Sequence, residues 1–308
     1  MSGSDTVVLD GGMSNALEDL GHDLTDPLWT ARVLRDAPEA VAEVHRRYFR
    51  AGARVATTAS YQASVPGFVD QGQLPIEAAA LVLHSVTLAR DVRDEMAGDG
   101  VERWVAASVG PYGAVLADGS EYRGRYGVSA ARLRDFHGPR LELLASAGPD
   151  LLAVETIPDL DEADVLADLL YDVNLPTWFS FSAREGRTAA GQHLTEAFAT
   201  AAAPTTVVAV GVNCCPAGEV LDAVRLAVAT GKKAVAYPNA GGKWNSRKRT
   251  WVGAADIDPD LARSWVDAGA AYVGGCCRVG PNEIARLAAA LDTDVTSGSA
   301  TDRRAKRS

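Results

Sequence analysis

Eight short runs rich in Val, Ala, Thr and Ile, separated by amphipathic or Ala/Leu-rich segments, leave this chain few ways to fold. The runs are Thr6–Gly12, Arg54–Ser60, Trp104–Pro111, Leu151–Ile157, Pro176–Ser182, Thr206–Cys214, Lys233–Asn239 and Ala271–Cys277. Apolar strands joined by helices belong to a parallel sheet covered on both faces, and eight such units predict an α/β protein of one domain, a (β/α)8 TIM barrel. A doubly wound open sheet is the alternative. Glycines punctuate the alternation: Gly52, Gly148, Gly231 and Gly269 each stand where a helix hands over to a strand and wants a left-handed residue. The segment from Pro38 places Val41, Val44, Tyr48 and Ala51 on one helical face, with proline in the first turn.

The barrel is expected to span residues 1–295, an ordinary size for one such unit among 308 residues. Residues 296–308, rich in Ser, Gly, Arg and Lys without apolar periodicity, are expected to form a mobile C-terminal tail. A formal charge of -10 argues against nucleic-acid binding, which relies on Lys and Arg at the phosphates. No apolar run is long enough to cross a bilayer. Small molecules are the expected partners. The polar, acidic start carries no secretory signal, so the expected compartment is the cytoplasm, where four cysteines suit a metal or reactive site better than a disulfide framework.

Chemistry in such barrels collects at the C-terminal ends of the strands. Here those ends carry Asp10, Thr57 with Thr58, Ser108, Glu155 with Thr156, Ser180 with Ser182, Asn213 with Cys214, Asn239, and Cys276 with Cys277. The four cysteines form two adjacent pairs, Cys214-Cys215 and Cys276-Cys277, at the ends of the sixth and eighth runs. Thiols arriving from two neighbouring strand ends predict a shared metal ion, because a catalytic zinc takes three protein ligands and leaves one position open. Inert burial of the thiols, or a redox disulfide between the strands, is the competing reading.

Asp10-Gly11-Gly12-Met13, Gly211-Val212-Asn213-Cys214, Tyr237-Pro238-Asn239-Ala240-Gly241 and Gly274-Gly275-Cys276-Cys277-Arg278 follow one another in an order that resembles the zinc-dependent homocysteine S-methyltransferases. The likeness runs from Asp10 to about Leu291. Gly21-His22-Asp23-Leu24, Asp26-Pro27-Leu28-Trp29 and Thr57–Gln62 bring it nearest to the stand-alone enzymes that use S-methylmethionine. The resemblance implies Zn2+ held by Cys214, Cys276 and Cys277, with Cys215 spare as a packing or neighbouring residue. It also marks Asp10 and Glu155 as binders of the homocysteine amino group. The amides of Gly11, Gly12 and Met13 are candidates for its carboxylate, and Asn213 and Asn239 are expected to orient ligands or loops in the substrate site.

The implied reaction moves a methyl group from a sulfonium, S-methylmethionine or S-adenosylmethionine, to the zinc-bound homocysteine thiolate and yields methionine. Attack of an anion on a cation annihilates charge, so a dry pocket favours it. Trp244, Trp251, Tyr61 and Tyr112 are candidates to receive the sulfonium by cation-π contact. Arg278 is expected to pair with a carboxylate and brace the metal turn. The segment Arg184–Leu194 and the basic loop 243–249 match no fixed motif and are expected to shape the donor site. A different donor or acceptor, such as betaine or selenocysteine, and a noncatalytic zinc- or thiol-binding barrel are the alternatives.

Overall fold

In the computed structural model, the described residues are 6–26, 28–241, 243–245, 250–252 and 256–298, with side chains at 243–245, 250–252 and 293–298 left aside. Eight parallel strands make the central sheet: β1 Val7–Val8, β2 Val55–Thr57, β3 Trp104–Val109, β4 Leu151–Ile157, β5 Thr177–Arg184, β6 Val207–Pro216, β7 Lys233–Asn239 and β8 Ala270–Val273. Hydrogen bonding runs β1-β8-β7-β6-β5-β4-β3-β2. A parallel bridge from Leu9 to Val55 brings the two ends together, so the ring closes as the expected (β/α)8 barrel. The final helix extends from Pro281 to Gly298. Of the expected tail, 296–298 therefore lie in that helix, and 299–308 are outside the described residues.

Side-chain alternation along each strand sorts the core into two layers. Leu151, Ala153 and Glu155 of β4 point inward, while Leu152 and Val154 join the helices outside. Trp178, Ala209, Val235, Tyr237 and Tyr272 fill the barrel interior. Bulk on β5 and β7 is matched by absence on β6: a Cβ on Gly211 would lie 1.8 Å from the Val235 carbonyl oxygen. The helix Pro38–Arg50 buries Val41, Val44 and Tyr48 as its periodicity predicts. The four helix-to-strand glycines, Gly52, Gly148, Gly231 and Gly269, all have positive φ.

The first and eighth runs leave the strand conformation sooner than expected. β1 ends at Val8 because the chain turns to meet the segment after β8: the Asp10 carbonyl accepts from the Gly275 amide at 3.1 Å, and the Gly12 amide donates to the Val279 carbonyl at 2.9 Å. β8 ends at Val273, so Cys276 and Cys277 stand on a turn and not on a strand. That turn stays tied to β7, since the amides of Gly274 and Cys276 donate to the carbonyls of Ala236 (3.0 Å) and Pro238 (2.8 Å). Tyr48 completes the junction, its hydroxyl donating to the carbonyls of Gly12 (3.0 Å) and Val279 (2.9 Å).

Candidate metal centre

The chain must come unusually close to itself where β1 meets the turn after β8, and glycines allow it. A Cβ on Gly274 would lie 2.6 Å from the Leu9 Cβ, and one on Gly12 would lie 2.7 Å from the Cys276 carbonyl oxygen. On the other side of the centre, Cys214 adopts a left-handed φ of 49°, and the pairing of β6 with β7 shifts register between Asn213 and Pro216. A β-bulge of this kind re-aims a side chain at a cost of about 1–3 kcal/mol. It turns Cys214 toward Cys276 and Cys277.

The sulfurs of Cys214, Cys276 and Cys277 lie within 4.8 Å of one another, each on a half-buried residue. Cys214 and Cys277 are 3.8 Å apart. Tetrahedral Zn–S bonds of about 2.3 Å hold two sulfurs about 3.8 Å apart, so the spacing fits zinc. Among the described residues no fourth Cys, His, Asp or Glu joins the group, which matches a site with one position open. Hydrogen bonds with Cys276 and then Cys277 hold the Cys214 thiol well below its usual range, while the same bonds push Cys276 and Cys277 up. Three thiols sharing protons in this way are suited to releasing them to solvent when a metal cation binds the sulfurs. Cys215 faces the outer core, where burial pushes its thiol up, and it serves as packing.

Asn213 and Asn239, expected to orient ligands or loops in the substrate site, are both engaged with loop backbone. Asn213 is fully buried. Its Oδ1 accepts from the Thr156 amide (2.8 Å) and the Ser180 hydroxyl (2.9 Å), and its Nδ2 donates to the Thr156 hydroxyl (2.7 Å). Thr156 has a left-handed φ of 60° beside a register shift between β4 and β5, so Asn213 secures the bulge that follows Glu155. Asn239 accepts the Cys277 amide at 3.1 Å, and its side chain helps to lower the Cys214 thiol. The Gly12 amide, expected to be free for a carboxylate, is engaged by Val279.

Asp10 and Glu155 remain as the two buried acids of the barrel mouth. Asp10 accepts from the amide (2.6 Å) and hydroxyl (2.8 Å) of Thr57. Burial pushes its carboxyl up to about 8 despite those bonds, with a further push from Glu155. Glu155 accepts from the hydroxyls of Ser108 and, at 3.1 Å, Tyr237. Burial raises it to about 7. A carboxyl raised on folding adds stability in full below its unfolded pKa and loses that contribution as pH rises through the folded one. Thermal melts of ligand-free protein should therefore show Asp10→Asn, which keeps hydrogen-bonding capacity toward Thr57, gaining on wild type between about pH 5 and pH 9. A gain of about 1 kcal/mol corresponds to about 1.5 °C for a chain of this length. Parallel melting curves at both pH values would contradict the assignment.

The aromatic candidates separate. Tyr112 packs beneath the surface against Phe136, with ring centroids 5.1 Å apart, and does not line the mouth. Tyr61 lies beside the mouth, within electrostatic reach of Glu121, Cys214 and Glu155. Arg140 fixes its loop from below, donating to the carbonyls of Ser60 (2.7 Å), Tyr61 (2.7 Å), Ala63 (3.1 Å) and Gly110 (2.8 Å). Trp244 pairs with Trp251 across an antiparallel ribbon, but their side chains and residues 246–249 of the basic loop are outside the described set. Within Arg184–Leu194, Arg187–Thr188 pairs antiparallel with the end of β5. Arg278 donates to the Gly241 carbonyl at 3.1 Å, bracing the metal turn through backbone. Glu121 and Tyr122, from the loop after β3, were not anticipated: both are within electrostatic reach of Cys214. The strand-end rule points to their loop, although its polar composition reads as plain surface.

A parallel barrel with three converging thiols and two buried carboxyls at its C-terminal mouth has the donor set of a barrel that could hold a thiophilic metal. The family model for homocysteine S-methyltransferase matches residues 7–291. Homocysteine S-methyltransferase 1 of Zea mays is 42% identical over 90% of this chain and 92% of its own. YbgG of Bacillus subtilis, also a homocysteine S-methyltransferase, is 40% identical over 92% and 93%. The metallated form of the homocysteine methyltransferase MmuM from Escherichia coli superposes with a TM-score of 0.83 at 41% identity, covering 92% of this chain and 96% of that one. The chain belongs to the homocysteine S-methyltransferase family.

Proposed function

We propose that this protein is a homocysteine S-methyltransferase that binds Zn2+ through Cys214, Cys276 and Cys277 and takes its methyl group from a sulfonium, S-methylmethionine foremost. The observation that carries the reading is the zinc-compatible sulfur triad set beside two buried acids. Zinc, when bound, supplies a Lewis acid that lowers the pKa of the acceptor thiol and fixes its sulfur. Asp10 and Glu155 hold the homocysteine ammonium, losing their protons as the cation arrives. The amides of Gly11 and Met13 lie next to Asp10 in the chain and receive the carboxylate. Asn239 and Asn213 keep Cys277, Cys214 and the Glu155 bulge in place. The attacking sulfur forms the new S–CH3 bond while the donor's S–CH3 bond breaks, and the donor sulfur keeps the electron pair as a neutral thioether. With S-methylmethionine, both products are methionine.

A metal-storage barrel would have no use for Asp10 and Glu155, whose burial disfavours their ionisation. Among the described residues no helix is long and apolar enough to cross a membrane. Four free cysteines suit a reducing compartment, and we assign the cytoplasm. The test is methionine formation by zinc-loaded protein from homocysteine with S-methylmethionine, S-adenosylmethionine or betaine offered singly. The sulfonium reaction is expected to proceed and to stop on chelation. A zinc-bound protein that accepts only betaine, or makes no methionine at all, would refute the proposal.

A further inference from the structure

The helix Ala130–Ser146 carries a buried cation that the steps above leave unused. Arg140 is 5% exposed, and its hydrogen bonds run to backbone carbonyls: Nε donates to Ala63, Nη1 to Gly110, and Nη2 to both Ser60 and Tyr61. Ser60, Tyr61 and Ala63 follow β2 while Gly110 follows β3, so one side chain ties two strand ends together. The two ends meet closely there, since a Cβ on Gly110 would lie 2.4 Å from the Tyr61 carbonyl oxygen. Carbonyl oxygens aimed at one spot repel one another unless a cation stands between them. Burial pushes the guanidinium down to about 10, which still leaves it charged at neutral pH. Its planar fork of donors serves four acceptors on two segments, which the single ammonium of a lysine does not match.

What Arg140 holds leads to both acids of the mouth. The Ser60 hydroxyl gives its one proton to the Ser108 carbonyl at 2.7 Å, so toward Thr58, 2.6 Å away, it accepts. Thr58, having donated to Ser60, accepts the Ser108 amide at 3.0 Å. Three hydrogen bonds thus form a closed ring that locks the segment after β2 to Ser108 of β3. All three residues are buried, so a broken bond would leave a polar group unsatisfied. Each side of the ring carries one acid. The Ser108 hydroxyl donates to Glu155, and Thr57, next to Thr58, donates its amide and hydroxyl to Asp10.

We propose that Arg140 is a positioning residue for the amino-group site: by tying the ends of β2 and β3 together, it sets the separation of Asp10 and Glu155 to suit one ammonium. The inference rests on the reading above in which these acids hold the homocysteine amino group. It is tested by calorimetric titration and steady-state kinetics of the zinc-loaded protein, with homocysteine and with its desamino analogue, in which hydrogen replaces the amino group. Wild type should bind homocysteine at least about tenfold more tightly than the analogue. Arg140→Lys should weaken homocysteine about tenfold and raise its KM to match, while kcat, zinc content and the affinity for the analogue move less than about twofold. A general loosening of the barrel would instead weaken both ligands together and lower kcat. Ser60→Ala, which leaves the clamp in place and removes one hydroxyl from the ring, should give the same selective loss and carries the test should the Lys variant not fold. An unchanged homocysteine affinity, or an equal loss for both ligands, overturns the inference. Failure of the parent reading looks different: wild type itself would then bind homocysteine and the analogue alike.

Discussion

Cys276→Ala should lose bound zinc and methyl transfer together, with metal content falling from about one ion per chain to near zero and kcat falling at least about a thousandfold. The reason is geometric. Cys276 and Cys277 are successive residues of one turn, and the three sulfurs fall within 4.8 Å only because Cys214 is swung toward them by its bulge. Two thiolates on a partly exposed rim are a poor zinc site. Cys215→Ala is the matched control: it trims a buried packing thiol, should cost about 1 kcal/mol, and should leave zinc in place. A metal-free Cys276→Ala variant that still made methionine would end the proposed mechanism.

The second large effect is expected at Glu155. Glu155→Gln keeps the shape and the hydrogen bonds toward Ser108 and Tyr237 but removes the charge proposed to face the homocysteine ammonium. Loss of a buried charge partner is worth about 2–5 kcal/mol, so kcat/KM for homocysteine should fall about thirtyfold or more, mostly through KM. Stability should move the other way. Burial raises this carboxyl to about 7, so above that pH the fold carries an ionised acid that it disfavours. The variant should therefore melt no lower than wild type at pH 8, and zinc content should not change. A variant with wild-type KM for homocysteine would remove Glu155 from the amino-group site.

Much of this was legible in the chain because it depends on local pattern. β4 and β7 have the bounds that their apolar runs predict, and the glycine stops at 52, 148, 231 and 269 are left-handed as expected. The thiols could be paired across the sequence because strand ends in a closed barrel must converge. What escaped depends on tertiary contact. Nothing in the residue types of Thr156 or Cys214 announces a positive φ, since that conformation is imposed by bulges and by the Asn213 amide. The end of β8 was placed too late because Gly274 and Cys276 still bond to β7 after the strand has turned. Tyr112 looked like a rim residue from its position after β3, but the following helix rolls it inward onto Phe136. Glu121 drew no notice because an acid in a polar loop has no local signal of burial.

One consequence of the Asn213 amide concerns how the two halves of the reaction site communicate. The residue immediately before Cys214 grips the residue immediately after Glu155, so the proposed thiol ligand and the proposed ammonium acceptor ride on a single clasp. Under that proposal, any displacement of Cys214 is passed straight to the Glu155 carboxyl. By linkage, whatever tightens the occupant of one tightens the occupant of the other to the same degree.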